Sequence, residues 1–260
     1  MPTDPTPLLE QVQYLLCDAD GNLFPSEEPA FDASAEVTNA FLASVGIDDR
    51  YTASELRAAA TGMNFRSTAR TLAARRGVTD VDVEPWIAEE RRAVTAHLRA
   101  TLLPHEPTQE ALTTLAGRLR LAVVSSSALS RLAACFTATG LDDLVPTACR
   151  FSAEDSLPTP TSKPDPAVYA HACTALGIEP EQGLAVEDAV AGVQSAVGAG
   201  CPVVGNLVFV LPEERDARRE ALLAAGALTV VESWQELADL VLPILAARPG
   251  AAGSLSGVTP

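Results

Sequence analysis

From Thr108 onward, short unbroken apolar runs alternate with segments of helical periodicity. Leu119 to Ser125 (LRLAVVS) reads as a strand, and a helix is predicted over about Leu129 to Thr139. Gly183 to Glu187 (GLAVE) reads as the next strand, followed by a helix over Ala189 to Ala199. Cys201 to Val204 and Leu228 to Val231 are shorter strands of the same kind. Unbroken Val/Leu/Ala runs, rather than strict alternation, mark strands covered on both faces. Predicted helices end in Gly followed by an apolar residue at Gly140-Leu141, Gly177-Ile178 and Gly200-Cys201, the punctuation of a C-cap before re-entry to the core. The expected fold class is therefore α/β with a largely parallel sheet.

The first strand, Val12 to Cys17, stands apart from this region. Between them, Ala35–Val45, Ser54–Thr61, Arg66–Arg76 and Pro85–Leu102 read as helices only, with Pro85 fitting a helix start and Gly46 and Gly77 fitting helix ends. The organisation predicted is a core domain made of residues 1–25 and 104–247 and an inserted all-helical cap over 26–103. The Ala/Gly/Ser/Pro-rich tail over 248–260 reads as disordered.

Composition narrows the function classes. The net charge of −16 argues against a nucleic-acid partner, whose affinity rests on neutralising phosphates with Lys and Arg. No apolar stretch is long enough to span a bilayer, and Met1 to Gln11 lacks the charged start and apolar run of a secretory signal. Five cysteines without close pairing read as reduced thiols, so a cytoplasmic location is expected. Three isolated histidines show no zinc-ligand spacing. The acidic field would repel a phosphate substrate, so any phosphate site needs local positive charge from a metal, a lysine or helix N-termini.

Four short motifs carry candidate chemistry. Asp18-Ala19-Asp20-Gly21-Asn22-Leu23 follows the apolar run Tyr14 to Cys17 and sets two carboxylates at a strand end. An acidic turn is the plain alternative. An EF-hand is excluded, because its required Gly and Glu positions are Leu23 and Pro29. Ser125-Ser126-Ser127 closes a strand, where hydroxyls and free N–H groups can hold phosphate oxygens or simply cap a helix. Lys163 is held in a loop by Pro164 and Pro166, although most lysines are solvated surface. Glu187-Asp188 ends another strand, and Asp188 could cap the following helix. Their joint placement outweighs each alone. Three lie where a strand gives way to a helix, the end of an open α/β sheet where ligands bind. Hard carboxylate oxygens suit Mg²⁺.

At these residues the chain resembles the haloacid dehalogenase superfamily, in its phosphatase and β-phosphoglucomutase-like branch with a helical cap. The first motif matches at Asp18 to Leu23, the second at Ser125, the third at Lys163-Pro164, and the fourth at Glu187-Asp188 continuing through Gly192 to Gly200. The resemblance implies a Rossmann-like core and a Mg²⁺-dependent phosphatase acting on a small phosphate monoester, such as a sugar phosphate or similar metabolite. It implies that Asp18 is the nucleophile, forming an aspartyl phosphate, and that Asp20 is the general acid and base. Gly21, Asn22, Ser125, Ser126 and Lys163 are implied to bind the phosphate. Asp18, Asp20 through its carbonyl, Glu187 and Asp188 are implied to hold the metal. A monomer or small homo-oligomer is expected.

The sequence departs from the family at Asn22, where Thr or Val is usual, and in the Pro-rich loop before Lys163. A sugar phosphomutase is the nearest alternative. Such mutases share a His soon after the first motif and a Lys/Arg pair in the lid. Here no His precedes His97, and the matching stretch reads Thr61-Gly62-Met63-Asn64-Phe65-Arg66. A dehalogenase lacks the second aspartate, and a purely binding module needs no nucleophile. Arg57, Asn64, Arg66 and Arg70 are candidate specificity contacts, or solvated helix surface.

Overall fold

The computed structural model describes residues 6–60 and 64–247. The tail expected to be disordered, and Thr61–Met63 of the stretch compared with mutases, lie outside them. Six strands form one sheet: β1 (Tyr14–Cys17), β2 (Arg120–Ser125), β3 (Arg150–Ser152), β4 (Gly183–Glu187), β5 (Val203–Asn206) and β6 (Thr229–Val231). The helices in chain order are α1 (Thr6–Leu9), α2 (Glu27–Ser44), α3 (Ala53–Ala60), α4 (Phe65–Arg75), α5 (Glu84–Thr101), α6 (Glu106–Ala116), α7 (Leu129–Thr139), α8 (Ala167–Leu176), α9 (Val190–Gly198), α10 (Arg215–Ala225) and α11 (Trp234–Ala246). The strands run in the order β3-β2-β1-β4-β5-β6, and every pair is parallel.

By internal contacts the chain divides into two compact units. The first takes Met1–Leu23, His105–Ala128 and Leu141–Pro260, and holds the whole sheet. One face of the sheet, with Leu16, Ala122, Val124, Ala185, Val203 and Val230, forms a core with Val168, Tyr169 and Ala172 of α8, Val193 and Ala196 of α9, and Leu222 of α10. The other face, including Leu15, Cys17, Val123 and Val186, is equally buried, and α6 and α11 pack on each other while burying Leu112, Leu115, Leu237 and Val241. Burial on both faces is why these strands read as unbroken apolar runs. The sheet's first strand sits in its middle, and chain order reverses between β1 and β4. In open α/β sheets ligands bind at such a reversal, beyond the carboxyl ends of the strands.

The second unit, Phe24–Pro104 and Leu129–Gly140, is helical. Its core gathers Phe41, Leu42, Leu56, Leu72 and Val83, with the Trp86 ring set edge-on to Phe41. Asn39 stitches the turn after α2 by donating to the Tyr51 carbonyl at 2.9 Å and accepting from its N–H at 2.8 Å. Helix α7 packs on α5 in this unit, where Phe136 meets Phe24 edge to face.

Gly140, Gly177 and Gly200, read as helix ends from sequence, all adopt left-handed backbone. Strand β3 was not predicted. All five cysteines are free thiols. Among the described residues no helix is long and apolar enough to cross a membrane.

Candidate active site

Parallel register aligns the ends of the three central strands. Cys17 of β1 pairs with Val123 of β2 and with Val186 of β4, so Asp18 emerges between Val124-Ser125 and Glu187. The Asp18 N–H still bonds to the Val186 carbonyl at 3.0 Å, continuing the ladder one residue past the strand. Gly21 then turns the chain with a φ of 76°, in the left-handed region that glycine enters without a Cβ penalty.

Lys163 reaches this point from the loop before α8. Ser195 fixes that loop by donating to the Asp165 carbonyl at 2.6 Å, and Asp165 accepts from the Ala167 N–H at the helix start. The Lys163 ammonium donates to Asp18 Oδ1 at 2.5 Å, Glu187 Oε1 at 2.6 Å and the Val124 carbonyl at 2.7 Å. Its side chain is only 7% exposed. Burial alone would push this ammonium down, but the Asp18 and Glu187 carboxylates outweigh burial and hold it above the usual lysine range. Asp18 is pushed up to about 8 by burial and by Glu187, against the lowering pull of Lys163.

Helix α9 makes room for this cluster. A Cβ at Gly192 would lie 1.8 Å from Glu187 Oε2, so no other residue there leaves the carboxylate in place. Asp18, Glu187 and Asp188 are all buried, and their carboxylate oxygens lie within 4.8 Å of one another. This group could hold a metal ion. The chemistry of the donors fits one: three carboxylates converge and a single lysine faces them, so buried negative charge is left to balance.

Asp20 is partly exposed, and its Oδ2 accepts from the Ser127 hydroxyl at 2.6 Å. Ser125 is buried, with its Oγ turned back to accept from the Ser127 N–H at 3.0 Å. The Ser126 hydroxyl accepts from the Lys163 N–H at 3.1 Å, tying the serine loop to the lysine loop. Asn22, expected from the resemblance to touch phosphate, is fully buried and braces the strand ends. Its amide donates to the carbonyls of Asp18 (3.0 Å) and Val186 (2.9 Å), and its oxygen accepts from Asn206 at 2.9 Å. In the helical unit, Asn64 caps α4 by accepting from the Ser67 N–H, and Arg66 pairs with Glu84.

Four supporting residues escaped sequence reasoning. The buried Tyr169 hydroxyl donates to Glu187 Oε1, and burial together with the Glu187 charge pushes the phenol well above its usual range, so it stays a donor. Arg218 on α10 donates to the Asp188 carbonyl at 2.8 Å. The Trp234 indole donates to the Asn22 carbonyl at 2.9 Å, and Asn206 completes the Asn22 brace. Only Tyr169 left a local signal, an aromatic in the first turn of a helix whose start Pro166 announces.

A family model described as haloacid dehalogenase-like hydrolase matches residues 12–200. Validoxylamine A 7'-phosphate phosphatase from Streptomyces hygroscopicus subsp. limoneus is 39% identical over 75 residues, which are 29% of this chain and 33% of that protein. The match thus spans about a third of that relative's length. Among solved structures, a conserved haloacid dehalogenase-like protein of unknown function from Agrobacterium tumefaciens aligns at 22% identity and a TM-score of 0.69, over 90% of this chain and 99% of its own. A HAD family hydrolase from Deinococcus radiodurans R1, with bound phosphate and sodium, aligns at 26% identity and a TM-score of 0.65, over 90% of this chain and 97% of its own.

Proposed function

Because this chain belongs to the haloacid dehalogenase-like hydrolases, we propose that it is a Mg²⁺-dependent phosphatase that cleaves a small phosphate monoester through a phosphorylated Asp18. The observation that carries the reading is the convergence of Asp18, Lys163 and Glu187 in direct hydrogen bonds at the strand ends, with Asp188 in the same acidic group and Asp20 two residues from Asp18. The Streptomyces relative, named for a phosphorylated metabolite, and the phosphate in the Deinococcus structure both support a small phosphate ester as substrate.

In this reading Asp18 attacks phosphorus with its carboxylate oxygen, and the ester oxygen leaves. Asp20 gives that oxygen its proton and later takes one from the water that opens the aspartyl phosphate. The Ser127 hydroxyl aims the Asp20 carboxyl by holding Oδ2. Lys163 balances phosphoryl charge while its loop stays anchored through Ser126 and Ser195. Asp18, Glu187 and Asp188 would hold Mg²⁺, which when bound supplies the positive charge that keeps Asp18 ionised and offsets the phosphoryl oxygens. With Asp18 pushed up to about 8 when only Lys163 opposes burial, that added charge is needed at neutral pH.

The test is release of inorganic phosphate from a generic aryl phosphate, with Mg²⁺ and with excess chelator. Turnover is expected only with the metal, and Asp20→Asn is expected to lower turnover of an alkyl phosphate by about 10²–10⁴, with a smaller loss on the aryl phosphate, whose better leaving group needs less protonation. Undiminished turnover in chelator overturns the reading.

A further inference from the structure

An ammonium has three protons to donate, and in this site all three of Lys163 are committed. Their acceptors are Asp18 Oδ1, Glu187 Oε1 and the Val124 carbonyl. The site as it stands therefore offers a phosphoryl oxygen no uncommitted Lys163 proton. One of the three bonds has to be surrendered when phosphate arrives. The Val124 carbonyl belongs to a strand and cannot move aside, and the Asp18 carboxylate is the attacking group. The bond to Glu187 is the one left to exchange.

Surrendering it would ordinarily leave a buried carboxylate oxygen without a donor, which is costly in a site shielded from water. Glu187 Oε1 escapes that cost because a second donor, the Tyr169 hydroxyl, already bonds to the same oxygen. Tyr169 comes from α8, is fully buried in the sheet core, and among the described residues its hydroxyl bonds to Glu187 alone. Its ring centroid also lies 5.3 Å from the Lys163 ammonium, which keeps that charge near the ring face as the bond is exchanged.

We propose that Tyr169 is a positioning residue for phosphate binding: it keeps Glu187 hydrogen-bonded while Lys163 transfers one N–H from Glu187 to the phosphoryl group. The proposal rests on the reading of Lys163 as the phosphate clamp. It places the effect of Tyr169 on affinity for phosphate more than on the chemical step.

Tyr169→Phe retains the ring, its packing and its contact with Lys163, and removes only the hydroxyl. The inhibition constant for inorganic phosphate and the KM for an aryl phosphate are expected to rise about tenfold, with kcat held within about threefold. Tyr14→Phe, in the same core cluster, is the control and is expected to leave both constants unchanged. A role in stability alone would lower the thermal midpoint and kcat without moving the inhibition constant. An unchanged phosphate inhibition constant in Tyr169→Phe, or a loss confined to kcat, overturns the proposal. Direct calorimetric titration of inorganic phosphate into the wild-type and Tyr169→Phe proteins, with Mg²⁺ present, needs no turnover. Equal affinities there sink the Tyr169 proposal, whereas absence of ester cleavage by the wild type sinks the phosphatase reading.

Discussion

Asp18 shows how far a single buried carboxyl can couple folding to pH. Burial, Glu187 and Lys163 together leave it at about 8, against an ordinary value of 3.8. The folded protein therefore holds a proton on Asp18 through an interval in which the unfolded chain has released it. That uptake favours folding, is fully present below the unfolded value, and is lost as pH rises through about 8. In chelator, the thermal midpoint of the wild type is expected to fall between pH 5 and pH 8.5. Asp18→Asn, which carries no titrating proton, is expected to flatten that fall and to abolish turnover. Parallel melting curves across the two pH values would contradict this account. Asn22 teaches a different lesson at the same scale. It lies inside a motif that the resemblance reads as phosphate-binding, but its amide is spent on Asp18, Val186 and Asn206. The partner that decides its role is 184 positions away in the chain, so no local pattern could disclose it.

Among elements, those with long apolar runs were legible and those defined by distant partners were not. Helix α7 spans the predicted Leu129 to Thr139, and β4 spans the predicted Gly183 to Glu187. Helix α2 begins at Glu27, earlier than the apolar pattern indicated, because Glu27 and Glu28 suit a helix start without contributing apolar periodicity. Strand β3 has three residues and opens on an arginine. That Arg150 is buried only because its guanidinium finds the Val145 carbonyl at 3.0 Å and Asp142 at 2.8 Å, a pairing with no periodic signature. The site was legible where strand ends carry acids or serines, and illegible where Tyr169, Arg218 and Trp234 arrive from separate helices. Helix α9 offers a direct test of how an element shapes the site. Gly192→Ala would drive a methyl group into Glu187 Oε2, so the carboxylate or the helix must move. Phosphatase activity is expected to fall at least about tenfold and the Mg²⁺ concentration for half-maximal activity to rise, with secondary structure by circular dichroism unchanged. Wild-type metal dependence in this variant would show that the close approach is not needed.

Across the whole molecule, charge is distributed in an unusual way. The chain carries a net −16, and of its 18 lysines and arginines all but Lys163 are arginines. On the proposed reading, long-range repulsion of a phosphate ester would be met by the only lysine, which is buried and bonded to two carboxylates. Arginines serve elsewhere as fixed, always-charged braces, such as Arg76 on Asp49 and Arg219 on Glu232. With its lysine protons committed and its side chain shielded, the native protein should resist acylation of lysine, while the unfolded chain should react freely. Pulses of acetic anhydride followed by peptide mass spectrometry are expected to modify Lys163 at the rate of opening of the site. Modification as fast in native buffer as in denaturant would contradict its burial. The solitary lysine therefore makes the candidate site its own clock: a single lysine mark, placed only when the protein opens around Lys163.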